Sequence, residues 1–217
     1  MKSFLVLGMG AFGKFLAQRL LELKNDVMII DKDEKIIEEL SPMFTNAQIG
    51  DCTNENVLRS LGVEDFDACF VAMDEDFQSS LITTSLLNDL GAKRVVSKSS
   101  REIQSKLLLR NGADEVIYPE KDIATKVAMK YSTNNVLDFV QLSQDFAIFE
   151  TAIPIDWAGK SIIDLDIRRK HNVNILAVKS KDIINPAPSP DYIFSFGDHI
   201  FIMGKQNDVG KLTSKNK

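Results

Sequence analysis

Residues 4–20 read FLVLGMGAFGKFLAQRL, an apolar run followed by a glycine-rich loop and an amphipathic stretch. The loop spells G-x-G-x-x-G over residues 8–13, and Asp31 follows at the end of VMIID. In a strand–loop–helix unit the first glycine permits a tight turn, the second lets a diphosphate approach the backbone, and the third allows close helix packing. The alternative is that the glycines serve only the turn. Asp31 favours the first interpretation, because a carboxylate there accepts hydrogen bonds from ribose hydroxyls and disfavours NADP.

Short apolar runs divide the first 120 residues of the chain, and helical patterns separate them. The apolar positions within each run are contiguous, which is typical of parallel strands buried on both faces. The predicted strands cover 4–7, 27–30, 47–50, 68–72, 94–98 and 115–118. Amphipathic patterns over 11–24, 75–90 and 100–110 predict helices between them. This alternation predicts an α/β fold with a Rossmann-like, doubly wound parallel sheet.

The pattern changes after Pro119. Residues 120–132 predict one more helix, and the stretches that follow include strands in which apolar and polar residues alternate. Further predicted elements are strands over 135–143, 146–154, 174–180 and 197–204 and a short helix over 161–171. We therefore predict two domains, 1–138 and a smaller α+β domain over 139–217, with helix 120–132 as a crossover between them.

Composition narrows the class of protein. The 217 residues carry a net charge of −5, with 26 Lys and Arg against 31 Asp and Glu, which argues against a nucleic-acid or anionic-membrane surface. No apolar run approaches the roughly 20 residues that span a bilayer, and no basic segment leads into an apolar leader. We expect a cytoplasmic protein whose membrane role, if any, needs a separate subunit. Cys52 and Cys69 lack metal-site spacing and are expected to be reduced and half-buried.

Further candidates follow other predicted strands, at the edge where open α/β sheets bind ligands. Asp51 follows the third run, Ala72, Met73 and Asp74 follow the fourth, and Lys98 ends the fifth. We interpret the first two groups as lining the adenine and ribose side. Asp51 has a second expected role as N-cap of the next helix. For Lys98 two alternatives stay open, a phosphate contact and a plain solvated lysine.

The chain offers little for acid–base catalysis. A dehydrogenase needs a proton donor or acceptor beside the nicotinamide, but both histidines lie in the predicted second domain. His171 ends a helix, where capping or solvation is expected, and His199 is expected to face outward from a strand. None of the three tyrosines is followed four residues later by lysine. We therefore predict a protein that is not an enzyme. The alternatives are a small NAD-dependent oxidoreductase and a redox-sensing, nucleotide-binding regulator.

Over nearly its whole length the sequence resembles the RCK (regulator of potassium conductance) subunits of Trk/Ktr-type potassium uptake systems. The resemblance rests on GMGAFG with Asp31, IGDCTNENVLRSLGVEDFDACFVAM, LLRNGADEVIYPEKDIA, NNVLDFVQLS, IDLDIRRKHNVNILAVKS and FSFGDHIFIMG. It implies a cytosolic subunit peripheral to the membrane, in a ring of dimers, typically an octamer, docked beneath a membrane potassium transporter. It also implies that the first domain binds ADP, ATP or NAD(H), and that ligand exchange reshapes the ring and gates the transporter.

Carried over by position, the resemblance places phosphates on Gly8, Gly10 and Gly13 and the ribose on Asp31. Glu120 would lie near the terminal phosphate and its cation, although it could equally be a first-turn carboxylate that complements the helix dipole. No other metal ligand is indicated. The nucleotide-site candidates are Gly8, Met9, Gly10, Ala11, Phe12, Gly13, Asp31, Lys32, Asp51, Cys52, Ala72, Met73, Asp74, Lys98 and Glu120.

One departure from the family pattern concerns the residue after the second glycine. Ktr-type members commonly carry arginine there, which reaches the terminal phosphate, whereas this chain has Ala11. A methyl group cannot stabilise a γ-phosphate, and Lys14 would compensate only in part as a point charge. ADP, AMP or NAD(H) are therefore favoured relative to ATP.

The second domain resembles the RCK C-terminal domain, which in some Gram-positive members binds cyclic di-AMP at a dimer interface. An apolar cleft for adenine with Arg and Asn toward phosphates suits such a ligand. The alternative is that these residues form the dimer core, with Arg168 solvated. The residues in question are Ile163, Leu165, Ile167, Arg168, Asn174, Ile175 and Pro188.

Overall fold

The computed structural model describes residues 1–73, 76–132, 136–143 and 145–213. The chain divides into two compact units, Met1–Asp122 and Ile123–Lys217. The division falls inside the helix predicted over 120–132, and the domain bounds 1–138 and 139–217 stay a prediction. Every described side chain of this helix after Pro119 is exposed.

Six parallel strands form the sheet of the first unit, in the order β3-β2-β1-β4-β5-β6. The strands are β1 Ser3–Leu7, β2 Asp26–Asp31, β3 Asn46–Ile49, β4 Ala68–Val71, β5 Val95–Lys98 and β6 Glu115–Ile117. The helices are α1 Ala11–Glu22, α2 Glu34–Leu40, α3 Glu55–Leu61, α4 Phe77–Asp89, α5 Glu102–Arg110 and α6 Pro119–Ser132. The predicted Rossmann-like sheet is confirmed. The strand order reverses between β1 and β4, and in open sheets of this kind such a reversal opens a crevice at the carboxyl ends of the strands.

Both faces of the sheet are buried at its centre, as the contiguous apolar runs predict, whereas the edge strands β3 and β6 are partly exposed. Leu5 and Leu7 of β1 belong to one apolar cluster, whereas Val6 and Ile29 belong to a second cluster on the other face. All four side chains are inaccessible to solvent. Successive residues of a strand point to opposite faces, so β1 contributes to both cores.

The sequence does not predict the helices α2 and α3. Each has only seven residues, about two turns, which is too short for an apolar pattern to repeat. Their N-caps are nevertheless visible in the sequence. Asp33 accepts a hydrogen bond from the Lys35 amide at 3.0 Å, and Asn54 accepts one from the Asn56 amide at 3.0 Å. Asn54, and not Asp51, therefore caps α3, and the cap predicted for Asp51 is wrong.

The second unit is built on a five-stranded antiparallel sheet in the order β10-β9-β11-β8-β7. Its strands are β7 Val136–Gln141, β8 Phe146–Ala152, β9 Asn174–Ser180, β10 Ile183–Asn185 and β11 His199–Lys205, and its helices are α7 Ile162–Leu165, α8 Ile167–His171 and α9 Gln206–Thr213. The helix predicted over 161–171 is divided, because Asp166 adopts a left-handed φ of +46° between α7 and α8. No helix in the described part of the chain is long and apolar enough to cross a bilayer.

Candidate functional site

The glycine loop connects β1 to α1 with backbone geometry that requires two of its glycines. Gly8 has a φ of +95°, and a Cβ there would lie 3.1 Å from the carbonyl carbon of Ala72. A Cβ on Gly13 would overlap the carbonyl oxygen of Gly8. The loop therefore folds back tightly, and α1 approaches β1 closely.

Gly10 is the N-cap of α1, in an extended conformation with φ −63° and ψ −176°. Because glycine has no side chain, it cannot cap the first-turn amides of this twelve-residue helix. The first turn also contains no acidic residue. The amides and the positive end of the helix dipole are therefore available to an anion.

Asp31 ends β2 and lies against the glycine loop. Its Oδ2 accepts a hydrogen bond from the Met9 amide at 2.6 Å, and its Oδ1 accepts one from the Asp33 amide at 2.9 Å. Each carboxylate oxygen has a second lone pair for another donor. The carboxylate is therefore held in place by the backbone and can still accept from two ribose hydroxyls.

A cavity of about 280 Å³ opens beside these groups; we call it the first cavity. Its volume is close to the lower end of small-molecule sites. The lining includes seven residues that the sequence predicts: Gly8, Gly10, Asp31, Lys32, Asp51, Cys52 and Met73. It also includes Gly50, Thr53, Asp76 and Ser79, which the sequence analysis missed. The carboxyl ends of neighbouring parallel strands bring the predicted residues together.

Two further carboxylates, those of Asp51 and Asp76, line the first cavity. Asp51 accepts hydrogen bonds from the backbone amide of Thr53 at 2.9 Å and from its hydroxyl at 2.7 Å, and these bonds lower the Asp51 pKa. Asp76 accepts from the Ser79 hydroxyl at 2.6 Å and from the Ser79 amide at 3.0 Å, which lowers the Asp76 pKa. Both carboxylates are ionised at neutral pH. Asp76 as the N-cap of α4, with Ser79 three residues later in the first turn, is a sequence signal that could have identified this pair.

Several predicted residues support the cavity without lining it. Met9 and Ala72 are fully buried, Gly13 is buried under the loop, and Phe12 is half-buried beside Lys98. Ala11 is exposed at the first position of α1. Asp74 lies outside the described residues.

Lys98 is buried, so the expectation of a plain solvated lysine is wrong. Its side chain is 8% exposed, its Nζ lies 2.9 Å from the Glu120 Oε1, and the same atom lies 5.8 Å from the centre of the Phe12 ring. The hydrogen bond from Lys98 lowers the pKa of Glu120. Glu120 also lies in the first turn of α6. Its carboxylate therefore pairs with the Lys98 ammonium group and also complements the dipole of α6.

A second cavity, of about 250 Å³, lies in the second unit. Six of the seven residues expected there line it: Ile163, Ile167, Arg168, Asn174, Ile175 and Pro188. Leu165 does not, because it packs into the apolar core of this unit. Ile162, Asp166 and Val173 complete the lining and were missed.

Of the two histidines and two cysteines, only Cys52 is among the described residues that line the first cavity. His199 Nδ1 lies 3.1 Å from Glu150 Oε1, and the His171 ring lies 5.8 Å from the Trp157 ring, all within the second unit. Burial raises the pKa of the Cys52 and Cys69 thiols to about 12, and both are fully buried and not half-buried as expected. The described residues form no group of three or more His, Cys, Asp or Glu placed to hold a metal ion.

Comparison with known proteins identifies two families along the chain. Residues 4–119 match the TrkA-N domain and residues 149–216 match the TrkA-C domain. Ktr system potassium uptake protein C of Bacillus subtilis (strain 168) is 34% identical over 214 residues, which is 99% of this chain and 97% of that protein. Protein A of the same system and organism is also 34% identical over 214 residues, 99% of this chain and 96% of that protein.

Solved structures share the fold at lower identity. The match to the GsuK channel covers 96% of this chain and 38% of the channel's chain, with a TM-score of 0.66 and 16% identity. The GsuK channel bound to NAD covers 100% of this chain and 38% of its own, with a TM-score of 0.52 and 21% identity. These structures establish the fold, and the sequence matches establish the relationship. The chain belongs to the family of TrkA-N and TrkA-C domain proteins that includes the Ktr system potassium uptake proteins A and C.

Proposed function

We propose that this chain is a non-catalytic regulatory subunit of a potassium uptake system, which binds an adenine nucleotide in its first unit and thereby gates a membrane transporter. The observation that carries the proposal is the Asp31 carboxylate, fixed by two backbone amides beside the uncapped N-terminus of α1. A ribose and a phosphate need these two groups side by side. Membership of the Ktr family supplies the transporter context.

The charges of the first cavity select among nucleotides. Asp31, Asp51 and Asp76 line it together with Lys32 as the one cation among the described lining residues. A 2′-phosphate would meet carboxylates, whereas ribose hydroxyls would donate to them. Ala11 brings no charge to the start of α1. AMP, ADP or NAD(H) are therefore better ligands than NADP. The terminal phosphate of ATP would find Ala11 where this family commonly has an arginine.

The proposal that the protein is not an enzyme rests on the chemistry of the same lining. The described lining residues include neither histidine nor tyrosine. The Cys52 thiol stays protonated with a pKa near 12, and the Asp51 and Asp76 carboxylates have lowered pKa values. None of these three groups exchanges protons readily at neutral pH, as a general acid or base must.

A second copy of the chain is the proposed partner of α6. Ile123, Val127 and Tyr131 recur every four residues and are 59%, 49% and 82% exposed. Residues at this spacing share one face of a helix. An exposed apolar stripe of this kind is typical of a surface that pairs with another helix. We propose that it forms part of the dimer from which a larger ring, octameric in the expected case, is built.

We predict that Val127→Glu weakens this dimer, because it places a charge in the middle of the apolar stripe. Size-exclusion chromatography with light scattering should show a lower mean mass than for the wild type. Lys126→Glu is the matched control, since it introduces the same side chain on a neighbouring face and should leave the mass unchanged. A wild-type protein that is monomeric, or a Val127→Glu variant of unchanged mass, would contradict the assignment.

Gating by a bound nucleotide requires that the ligand bind the two shapes of the ring with different affinity. A tenfold preference at one site corresponds to about 1.4 kcal/mol. Eight equivalent sites would together supply about 11 kcal/mol, whereas inverting an equilibrium from 1:99 to 99:1 takes about 5.5 kcal/mol. A modest preference per site is therefore sufficient to switch a ring at the cytoplasmic face of a transporter.

We also propose cyclic di-AMP as a ligand of the second cavity. Its described lining combines four isoleucines, which suit an adenine face, with Arg168 and Asn174, which suit phosphate oxygens. The favouring observation is that six of the seven expected residues lie around one cavity.

Calorimetric titration of the purified protein with ADP, ATP, NAD, NADH, NADP and cyclic di-AMP, each in a separate run, tests the proposal. We expect binding of ADP or NAD(H), with NADP at least about tenfold weaker because of Asp31. Absence of binding by every adenine nucleotide would overturn the first-unit site. Ligand-dependent potassium flux in vesicles that contain a Ktr-type transporter and this chain would then test gating, and flux that ignores the bound ligand would overturn it.

A further inference from the structure

We propose that a second, donor-rich cleft receives an acceptor oxygen from the far end of the bound nucleotide, with Ser80 as its hydrogen-bond donor. This inference rests on the proposed nucleotide binding. The cleft lies between the N-terminal turns of α4 and α5 and encloses about 20 Å³; we call it the α4–α5 cleft. It is lined by Met73, Phe77, Ser80, Lys98, Ser99, Ser100 and Gln104.

The inference depends on Ser80, a buried serine with an unpaired hydroxyl group. It is 2% exposed, and its Oγ has no hydrogen-bond partner among the described residues. The neighbouring buried hydroxyls are satisfied: Thr83 donates to the Cys52 carbonyl at 3.1 Å, and Thr84 lies 2.8 Å from the Ser97 hydroxyl. Buried polar groups are nearly always paired, and an unpaired one is costly. An acceptor in the cleft would pair Ser80.

The cleft and the first cavity are chemically complementary. The first cavity is lined by Asp31, Asp51 and Asp76. The lining of the cleft instead includes Ser80 and Lys98, whose ammonium group lies 2.9 Å from the Glu120 carboxylate. A molecule that suits both places has hydroxyl donors at one end and acceptor oxygens at the other, which is the arrangement in a nucleotide.

Met73 links the two sites, because it lines both of them. A methionine side chain is flexible and adapts to its neighbours at little cost, so it can move aside for a ligand that extends from one to the other. The volume of the cleft corresponds to about one water molecule. It therefore accommodates a single oxygen atom and not a ring. The terminal phosphate of ATP and the distal ribose or carboxamide of NAD both offer such an oxygen, whereas AMP offers neither.

The test is Ser80→Ala, titrated calorimetrically with AMP, ATP and NAD. Removing an unpaired hydroxyl leaves no buried group unsatisfied, so the free variant should melt at or slightly above the wild-type temperature. AMP affinity should be unchanged, and the affinity for ATP, NAD or both should fall about three- to tenfold, as for one lost hydrogen bond. Ser60→Ala, which removes an exposed serine hydroxyl on α3, is the control and should alter no affinity.

The pattern of losses identifies the source of the oxygen. A loss confined to ATP assigns the cleft to the terminal phosphate, and a loss confined to NAD assigns it to the distal nucleoside. Equal losses for all three ligands, or no loss for any, would overturn the inference and leave the cleft with water alone. Wild-type protein that binds AMP but neither longer ligand would overturn it too, while nucleotide binding itself would stand. Wild-type protein that binds none of the three would overturn both.

Discussion

Gly13→Ala is expected to destabilise the first unit by about 3–5 kcal/mol, enough to unfold it or leave it marginal. The added Cβ would overlap the carbonyl oxygen of Gly8. Ordinary overpacking between side chains costs about 1–3 kcal/mol because the neighbours shift, but here the obstacle is backbone. Gly8 has little room to retreat, since a Cβ built on it would lie 3.1 Å from the Ala72 carbonyl group and from the Met73 side chain. The remaining escape is for α1 to move off the sheet, which would uncover Ala17 and the apolar cluster beneath it.

The same substitution elsewhere in the chain provides the control for this prediction. Gly210 lies within α9, and a Cβ there meets nothing within 4 Å among the described atoms. Gly210→Ala should therefore be neutral or stabilise by up to about 1 kcal/mol, because alanine favours a helix. Urea unfolding followed by circular dichroism measures both variants. A Gly13→Ala variant as stable as the wild type would show that α1 does not approach the loop as closely as described.

Gly13 also illustrates how far the sequence predicts the fold. The G-x-G-x-x-G spacing placed close packing at Gly13 because a turn between a buried strand and a helix has few solutions. The contiguous apolar runs likewise gave all six parallel strands. The helices α2 and α3 were not singled out, since seven residues are too few for an apolar period to repeat. The break between α7 and α8 depends on a left-handed Asp166, which no apolar pattern encodes.

The site divides in a similar way. Asp31, Asp51 and Met73 follow from the rule that ligands bind at the carboxyl ends of parallel strands. Asp76 and Ser79 come from the loop and first turn that follow β4, where the chain direction is not set by the sheet. The burial of Lys98 depends on Glu120 and Phe12, which are distant in sequence. The unpaired Ser80 hydroxyl is a property of three-dimensional packing alone.

Gly10→Asp is expected to abolish nucleotide binding, with an affinity loss of more than about a hundredfold, while the chain stays folded. The backbone conformation of Gly10 is available to any L residue, and aspartate is among the preferred residues at an N-cap. The new carboxylate would accept hydrogen bonds from first-turn amides of α1. It would thus take the donors that a phosphate needs and would also repel the phosphate charge. Losing two charge-assisted hydrogen bonds costs about 3–6 kcal/mol, which exceeds the 2.8 kcal/mol or so of a hundredfold change.

Two measurements separate this effect from unfolding. The melting temperature of Gly10→Asp should equal or exceed that of the wild type, because an uncapped helix gains a cap worth about 1 kcal/mol. Titration with ADP and NADH should show no binding, whereas Gly210→Asp, which adds the same carboxylate to α9 in the second unit, should bind like the wild type. Retained binding in a folded Gly10→Asp protein would place the phosphate away from the N-terminus of α1. Since Asp31 is fixed beside that N-terminus through Met9, such a result would remove the geometric basis for the ribose contact as well.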